Sequence, residues 1–220
     1  MTLESSKNLG GVGAILLFIG AFPIINYFGI VDIIGIILVL VALHGFGSYY
    51  KEEGIFDNAL YGLISGIVGI VAAIAIGIAI VLPHIKDFLM KIYPSWNGSW
   101  STISSLSRMS PNTSNITTGD ITSLISAAIV VLVILWIFAI IAMFFARRSL
   151  KQLSAKTNTG LFSTTGLLLL IGAVLIILFG LGLLLIWIAT LLLAIAFFTM
   201  HPESAQPTTN TATSPPSPST

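Results

Sequence analysis

Residues Leu161–Met200 read LFSTTGLLLLIGAVLIILFGLGLLLIWIATLLLAIAFFTM and contain no charged side chain. A membrane-spanning helix needs ~20 apolar residues, and this stretch is about twice that long. Its break is Phe179-Gly180-Leu181-Gly182, so it reads as two spans joined by a glycine turn. Similar runs lie upstream. The expected architecture is an all-α, polytopic transmembrane helix bundle of about six spans: Gly10–Phe28, Ile30–Phe46, Ala59–Leu82, Ile121–Ala146, Leu161–Phe179 and Leu183–Met200. Pro23, Asn26 and Asp32 surround the first junction, and Pro23 either kinks the first helix or marks its end.

Composition agrees. Hydrophobic residues make up 56% of the chain and charged residues 8%, against ~25% charged in an ordinary soluble domain. So few charges cannot cover a water-facing surface. A net charge of +1 makes no electrostatic case for nucleic acid. With no cysteine, disulfides, thiolate metal sites and cysteine nucleophiles are excluded. The N-terminal residues before the first apolar run lack a strongly basic segment, and no clear cleavage site follows it. That run therefore reads as a retained span and not as a signal peptide.

Lysine and arginine set orientation. Arg147, Arg148, Lys151 and Lys156 directly follow the fourth span, which places that segment on the cytoplasmic side of a cell membrane. Six spans then put both termini inside. The chain divides into 1–82 with three spans, an outer loop over 83–120, 121–200 with three more spans, and a tail over 201–220. The tail is rich in Ser, Thr and Pro and is expected to be disordered. The outer loop holds every Asn-x-Ser/Thr tripeptide of the chain, at Asn97, Asn112 and Asn115, which are candidate N-glycosylation sites. Within it, Ile85, Phe88, Leu89 and Ile92 share one helical face, so His84–Tyr93 reads as an interfacial helix. Trp96 and Trp100 suit the headgroup layer. Ser101–Asp120 reads as a mobile polar segment, with cap candidates at Thr118, Gly119 and Asp120.

The first and last helix pairs are alike: Leu16-Leu17-Phe18-Ile19-Gly20-Ala21 parallels Leu168-Leu169-Leu170-Ile171-Gly172-Ala173. A duplication would make a parallel repeat; chance alignment of Leu/Ile/Gly/Ala runs is the competing account. In the third span Ser65, Gly69, Ala73 and Gly77 recur every four residues, with Gly62 and Gly66 beside them. Small residues let helix backbones approach closely, so these six are candidate packing residues, for a neighbouring helix or for a second copy.

Chemistry-bearing residues are sparse. His44, His84 and His201 are scattered, and no zinc-protease, phosphate-loop or nucleophile-elbow motif occurs. Asp32 and His44 are ~18 Å apart on one helix, too far to act as a pair. No metal, cofactor or catalytic residue is expected. The third to sixth spans lack ionisable residues, which argues against ion-coupled transport.

Three stretches carry a family likeness: Leu3-Glu4-Ser5-Ser6-Lys7-Asn8-Leu9-Gly10-Gly11, Ala194-Ile195-Ala196-Phe197-Phe198 and, most distinctive, Tyr49-Tyr50-Lys51-Glu52-Glu53-Gly54-Ile55-Phe56-Asp57-Asn58-Ala59-Leu60-Tyr61-Gly62. The chain resembles a prokaryotic, largely archaeal family of small multi-pass membrane proteins catalogued as domain of unknown function nine-nine-six. The resemblance implies membrane class and architecture, and supplies no site. In the most distinctive stretch Tyr49, Tyr50 and Tyr61 are read as an aromatic belt beside a helix cap at Asp57 or Asn58, or else Tyr49, Tyr50, Lys51, Glu52 and Glu53 form a docking surface for a cytoplasmic protein partner.

Two functional classes follow. One is a non-catalytic accessory, scaffold or membrane-organising component, whose partners are the lipid bilayer and a protein or a second copy. The alternative is a small channel or carrier for a neutral or weakly polar solute, lined by Ser65, Ser123, Ser126, Thr164, Thr165 and Thr190. A membrane enzyme using unfamiliar residues stands third.

Overall fold

The computed structural model describes residues 2–22, 29–178 and 180–200. Expectations for Pro23, Asn26, Phe179, His201 and the tail over 201–220 lie outside the described residues. The elements are α1 (Leu3–Gly20), α2 (Ile30–Tyr50), α3 (Gly54–Ile76), α4 (Leu82–Ile92), α5 (Thr118–Thr157), α6 (Gly160–Leu175) and α7 (Leu181–Thr199). A π-helical turn, Gly77–Val81, joins α3 to α4, and a 3-10 helix spans Trp100–Arg108. No strand occurs among the described residues. Four helical runs are long and apolar enough to cross a membrane: Ile30–Tyr50, Gly54–Ile92, Thr118–Thr157 and Leu181–Thr199. The protein is an all-α polytopic bundle.

The packing closes into a ring. α1 packs on α2, α2 on α3, α3 on α5, α5 on α6, α6 on α7, and α7 back on α1. One end of this ring, here the foot, gathers the start of α1, α3 and α6 and the end of α2, α5 and α7. The ring is joined there across the whole chain, because Lys7 Nζ donates to Met200 O at 2.9 Å. The last carbonyls of a helix have no partner within it and carry the negative end of its dipole, so an ammonium group beside the end of α7 is doubly favourable. The core also lies at the foot. Phe46, Ile55, Leu153, Phe162 and Phe197 are fully buried. The Phe197 ring stacks on Phe46 with centroids 6.0 Å apart and meets the edge of Phe162 at 5.0 Å.

The two outer hairpins share a device. Each second helix begins after a glycine in the left-handed region, Gly29 with φ 72° and Gly180 with φ 75°. A side chain is strained there, and glycine is not. Within each hairpin two glycines let the backbones touch. A Cβ on Gly35 would stand 2.9 Å from Gly13 O, and one on Gly172 would stand 2.9 Å from Gly182 O. The crossings sit at different heights, deep in the first hairpin and beside the turn in the second.

Sequence expectations need amendment in four places. The third span and the amphipathic segment form one continuous helical run, Gly54–Ile92. Pro83 lacks an N–H and its ring crowds the carbonyl one turn earlier; the π-helical turn immediately before it accommodates this without breaking the helix. His84 Nδ1 lies 2.7 Å from Ile80 O in the same turn. The segment expected to be polar and mobile, Ser101–Asp120, contains most of the 3-10 helix Trp100–Arg108. The cap of α5 is Thr117, paired with Asp120 in a capping box, and not one of Thr118, Gly119 or Asp120 acting as the cap itself. Neither Asp57 nor Asn58 caps α3, which starts at Gly54; Asn58 Nδ2 donates to Gly54 O and to Gln152 Oε1.

The glycines of α3 differ in surroundings. A Cβ on Gly69 would collide with the Phe138 side chain of α5, and one on Gly62 would stand 2.9 Å from Ala142 O, whereas Gly66 and Gly77 face open space. Ala73 is buried, and Ser65 is half-buried. Gly69→Ala is therefore expected to destabilise the detergent-solubilised protein by ~1–3 kcal/mol through overpacking. Gly66→Ala should be neutral or stabilising by up to ~1 kcal/mol through helix propensity. Thermal unfolding of the two variants side by side measures this, and equal behaviour would refute the assignment of Gly69 to the α3–α5 seam.

Candidate functional site

Polar side chains collect in three places along the bundle axis. At the foot, the turn from α2 to α3 is fastened to the end of α5. Lys51 adopts a left-handed conformation with φ 53° and terminates α2. Glu52 reaches Lys156 at 3.1 Å, Asn58 meets Gln152, and Ser149 Oγ donates to Ile55 O from a fully buried position. Tyr50 packs against the core and meets the ring of Tyr49 edge-on. Of the candidate docking residues, Tyr50 and Glu52 are thus engaged within the protein, while Tyr49, Lys51 and Glu53 are exposed. The exposed Arg148 guanidinium lies 5.7 Å from the centroid of the Phe144 ring.

Midway along α5, Trp136 Nε1 donates to Ala173 O at 3.0 Å and to Val174 O at 3.3 Å. On α7, Trp187 Nε1 donates to Phe18 O at 3.1 Å, and its ring stacks on Phe18 with centroids 4.7 Å apart. These acceptors belong to the last turns of α6 and α1, where carbonyls lack helical partners. Each hairpin turn is therefore approached by a tryptophan from a neighbouring helix, and its N–H takes the place that water fills on an ordinary helix end. Sequence reasoning missed both. A lone tryptophan in an apolar run reads as an interface anchor, and only the packing reveals which carbonyl it meets.

At the far end, α4 and α5 are tied by an ion pair between Lys91 and Asp120. Asp120 also accepts from the backbone N–H and hydroxyl of Thr117. The bonded Lys91 ammonium, together with Thr117, holds the Asp120 carboxyl at about 2, below its usual 3.8. His84, Asp87, Lys91 and Asp120 border an open hollow of about 420 Å³. A second hollow of about 500 Å³, lined by Gly77, Val81 and Val131 among other apolar residues, lies where the π-helical turn faces α5. In the loop, Trp96 is buried and donates to Thr102 Oγ1 at 3.1 Å. Asn97, Asn112 and Asn115 are all exposed. Among the described residues no three His, Asp or Glu side chains group in a way that could hold a metal ion. His44, on α2, meets Phe56 edge-on and lies at the opposite end from His84.

Comparison with known proteins gives a family and one relative. The family described as Protein of unknown function (DUF996) matches residues 31–191. An uncharacterized protein of Methanocaldococcus jannaschii, MJ1644, is 27% identical over 203 residues, covering 91% of this chain and 94% of that one. No solved structure matches.

Two measurements probe this geometry. Trp187→Phe keeps the ring stacked on Phe18 but orphans Phe18 O, and is expected to cost ~1–3 kcal/mol in thermal unfolding; an unchanged midpoint would mean that the carbonyl has another partner. The carboxyl of Asp120 is depressed in the folded state, so its contribution is complete above pH ~4 and is lost as pH falls through about 2. Asp120→Asn should therefore remove an acid-dependent loosening of the far end, read by hydrogen exchange between pH 5 and 2. An identical pH profile in the variant would refute this.

Proposed function

The chain belongs to the DUF996 family of proteins of unknown function, and on that footing we propose that it is a non-catalytic, membrane-organising component whose principal partner is the lipid bilayer. The observation that carries this reading is where the polar groups of the helices point. Thr164 Oγ1 donates to Gly160 O, Thr190 Oγ1 to Trp187 O and Ser123 Oγ to Asp120 O. Three of the six hydroxyls that a solute path would need are thus bonded to their own helix, the usual fate of hydroxyls in spans. The tryptophan N–H groups go to helix-end carbonyls. The outer surface, by contrast, is apolar over most of α3 and α5, with Ile70, Val71, Ile74, Ile78 and Leu132 each more than half exposed.

The foot is the cytoplasmic side in this reading, because Arg147, Arg148, Lys151 and Lys156 follow the apolar run of α5. Both termini then face the cytoplasm. Asn97, Asn112 and Asn115 lie on the outer surface, where glycosylation would find them accessible. Tyr49, Lys51 and Glu53 form the exposed edge of the foot that a protein partner would meet.

A solute carrier and a bilayer organiser differ in one direct respect. Purified protein in liposomes should leave the permeation of glycerol, urea and small sugars at the level of protein-free liposomes. Saturable flux, abolished by Ser126→Phe or Thr165→Phe, would overturn the reading in favour of a channel or carrier.

A further inference from the structure

The six apolar helices do not share one length of lipid-facing surface. At the foot, the bundle is patterned as a water-soluble domain is, with apolar side chains inside and polar ones outside. Asn8 on α1, His44 and Ser48 on α2, Arg148 and Lys151 on α5 and Thr164 on α6 are exposed, around the buried cluster of Phe46, Ile55, Leu153, Phe162 and Phe197. Higher up, the outer surface becomes apolar. The change falls between Asn8 and Val12, between His44 and Val41, between the half-buried Asn58 and the exposed Tyr61, between Arg148 and Phe144, and between Thr164 and Leu167. On five helices it occurs at a similar height, which is how the boundary between headgroups and hydrocarbon registers on a protein surface.

From that boundary the helices run very different distances. α1 has about ten residues from Val12 to Phe22, α2 about eleven from Val41 to Ile30, and α6 with its turn about eleven from Leu167 to Leu178. At 1.5 Å per residue each covers ~16 Å. The run from Tyr61 to Leu82 covers ~32 Å, and Phe144 to Ile121 covers ~35 Å. A hydrocarbon core is ~30 Å thick. The long pair crosses all of it and the hairpins reach its middle. Register within α5 agrees: Trp136, which touches the end of α6, lies ~18 Å from Arg148 and ~24 Å from Asp120 along the helix. Only α7 departs, since its exposed Ile195 and Phe198 extend the apolar surface toward the foot.

The turn between α6 and α7 is built for hydrocarbon. From Leu175 to Leu183 no side chain is polar, and Ile177, Leu178 and Leu181 are exposed by 60%, 49% and 59%. A turn emerging into water does not need such a surface. Where water is absent every backbone group needs an internal partner. Leu178 N–H donates to Leu175 O, Gly180 N–H to Ile176 O and Leu181 N–H to Leu178 O, while Trp136 and Trp187 supply N–H groups to the carbonyls of Ala173, Val174 and Phe18. Among the described residues the one ionisable group placed near mid-depth is Asp32. It lies in the first turn of α2, where the helix dipole favours a carboxylate, and it is engaged in an interaction within the protein.

We propose that α1–α2 and α6–α7 are re-entrant hairpins whose helices enter the bilayer from the foot side and end near its midplane, so that only α3–α4 and α5 cross it, and that the acyl chains of the far leaflet cover the exposed apolar ends of α1, α2, α6 and α7. Six helices then displace lipid in one leaflet and two in the other. The protein is a wedge, which gives the membrane-organising reading a physical means. That consequence rests on the proposed function, whereas the depth of the turns stands without it.

The cysteine-free chain allows the test. Single substitutions Phe22→Cys, Leu178→Cys, Leu132→Cys, Ser104→Cys and Lys151→Cys in the full chain, each at a surface position, carry a nitroxide in lipid nanodiscs. Collision with oxygen and with a water-soluble nickel chelate reports depth. Phe22 and Leu178 are expected to read as deep as Leu132, while Ser104 and Lys151 read as aqueous. A chelate-accessible label at Leu178 or Phe22 overturns the proposal. As a second readout free of cysteine, Trp96→Phe with Trp100→Phe leaves Trp136 and Trp187. Bromine near the acyl-chain ends should quench these two most; stronger quenching by bromine near the headgroups overturns the proposal. Flux in liposomes with deep turns would defeat the proposed function alone, and aqueous turns without flux would defeat this inference alone.

Discussion

A backbone surrounded by hydrocarbon has no water to satisfy its N–H and C=O groups, and each one left alone costs several kcal/mol. Helices solve this along their length and fail at their ends. In this protein the ends are where the specific chemistry is found. Lys7 serves the end of α7, Trp136 the end of α6, Trp187 the end of α1, and Thr117 with Asp120 serves the start of α5. Three of these bonds join different helices, so the groups that satisfy the backbone also hold the ring together. Tertiary structure and backbone satisfaction are one problem here.

Close approach is the second requirement. Lipid chains are as apolar as leucine, so helices in a bilayer associate through packing and not through the hydrophobic effect. Gly13 with Gly35, Gly172 with Gly182, and Gly62 with Ala142 of α5 bring backbones within van der Waals reach, and Gly69 makes room for the Phe138 side chain. The foot follows different physics. There a cluster of phenylalanines sits beneath polar side chains, as in a soluble domain, and burial from water adds its usual stabilisation. One chain therefore uses two solvents, and the change in its surface marks where one gives way to the other.

Much of this was legible in the sequence. Apolar runs of span length mark the helices because the length of a helix follows from the thickness of its solvent. Low charge and the absence of cysteine removed whole classes of function. The stretch around Tyr49–Gly62 and the match over residues 31–191 place the chain in its family. The candidate packing residues of α3 were found by a spacing of four, yet a spacing cannot distinguish Gly69, against Phe138, from Gly66, beside open space. Both are small, and the difference lies in the neighbouring helix.

The sequence by itself determined that the chain forms apolar helices and that glycine breaks separate the last pair, but not where the helices end, since α1 begins at Leu3 and not Gly10 and α5 runs on from Ala146 to Thr157; the apolar runs follow from local composition and from the solvent that composition requires. Only the tertiary structure decided that the third span continues past Pro83 into the amphipathic segment, that Trp136 and Trp187 meet the carbonyls of other helices, and that the hairpins stop short of the long pair. Those features depend on which residues from distant parts of the chain share a height along the bundle, and hydropathy along a single strand of sequence carries no record of height.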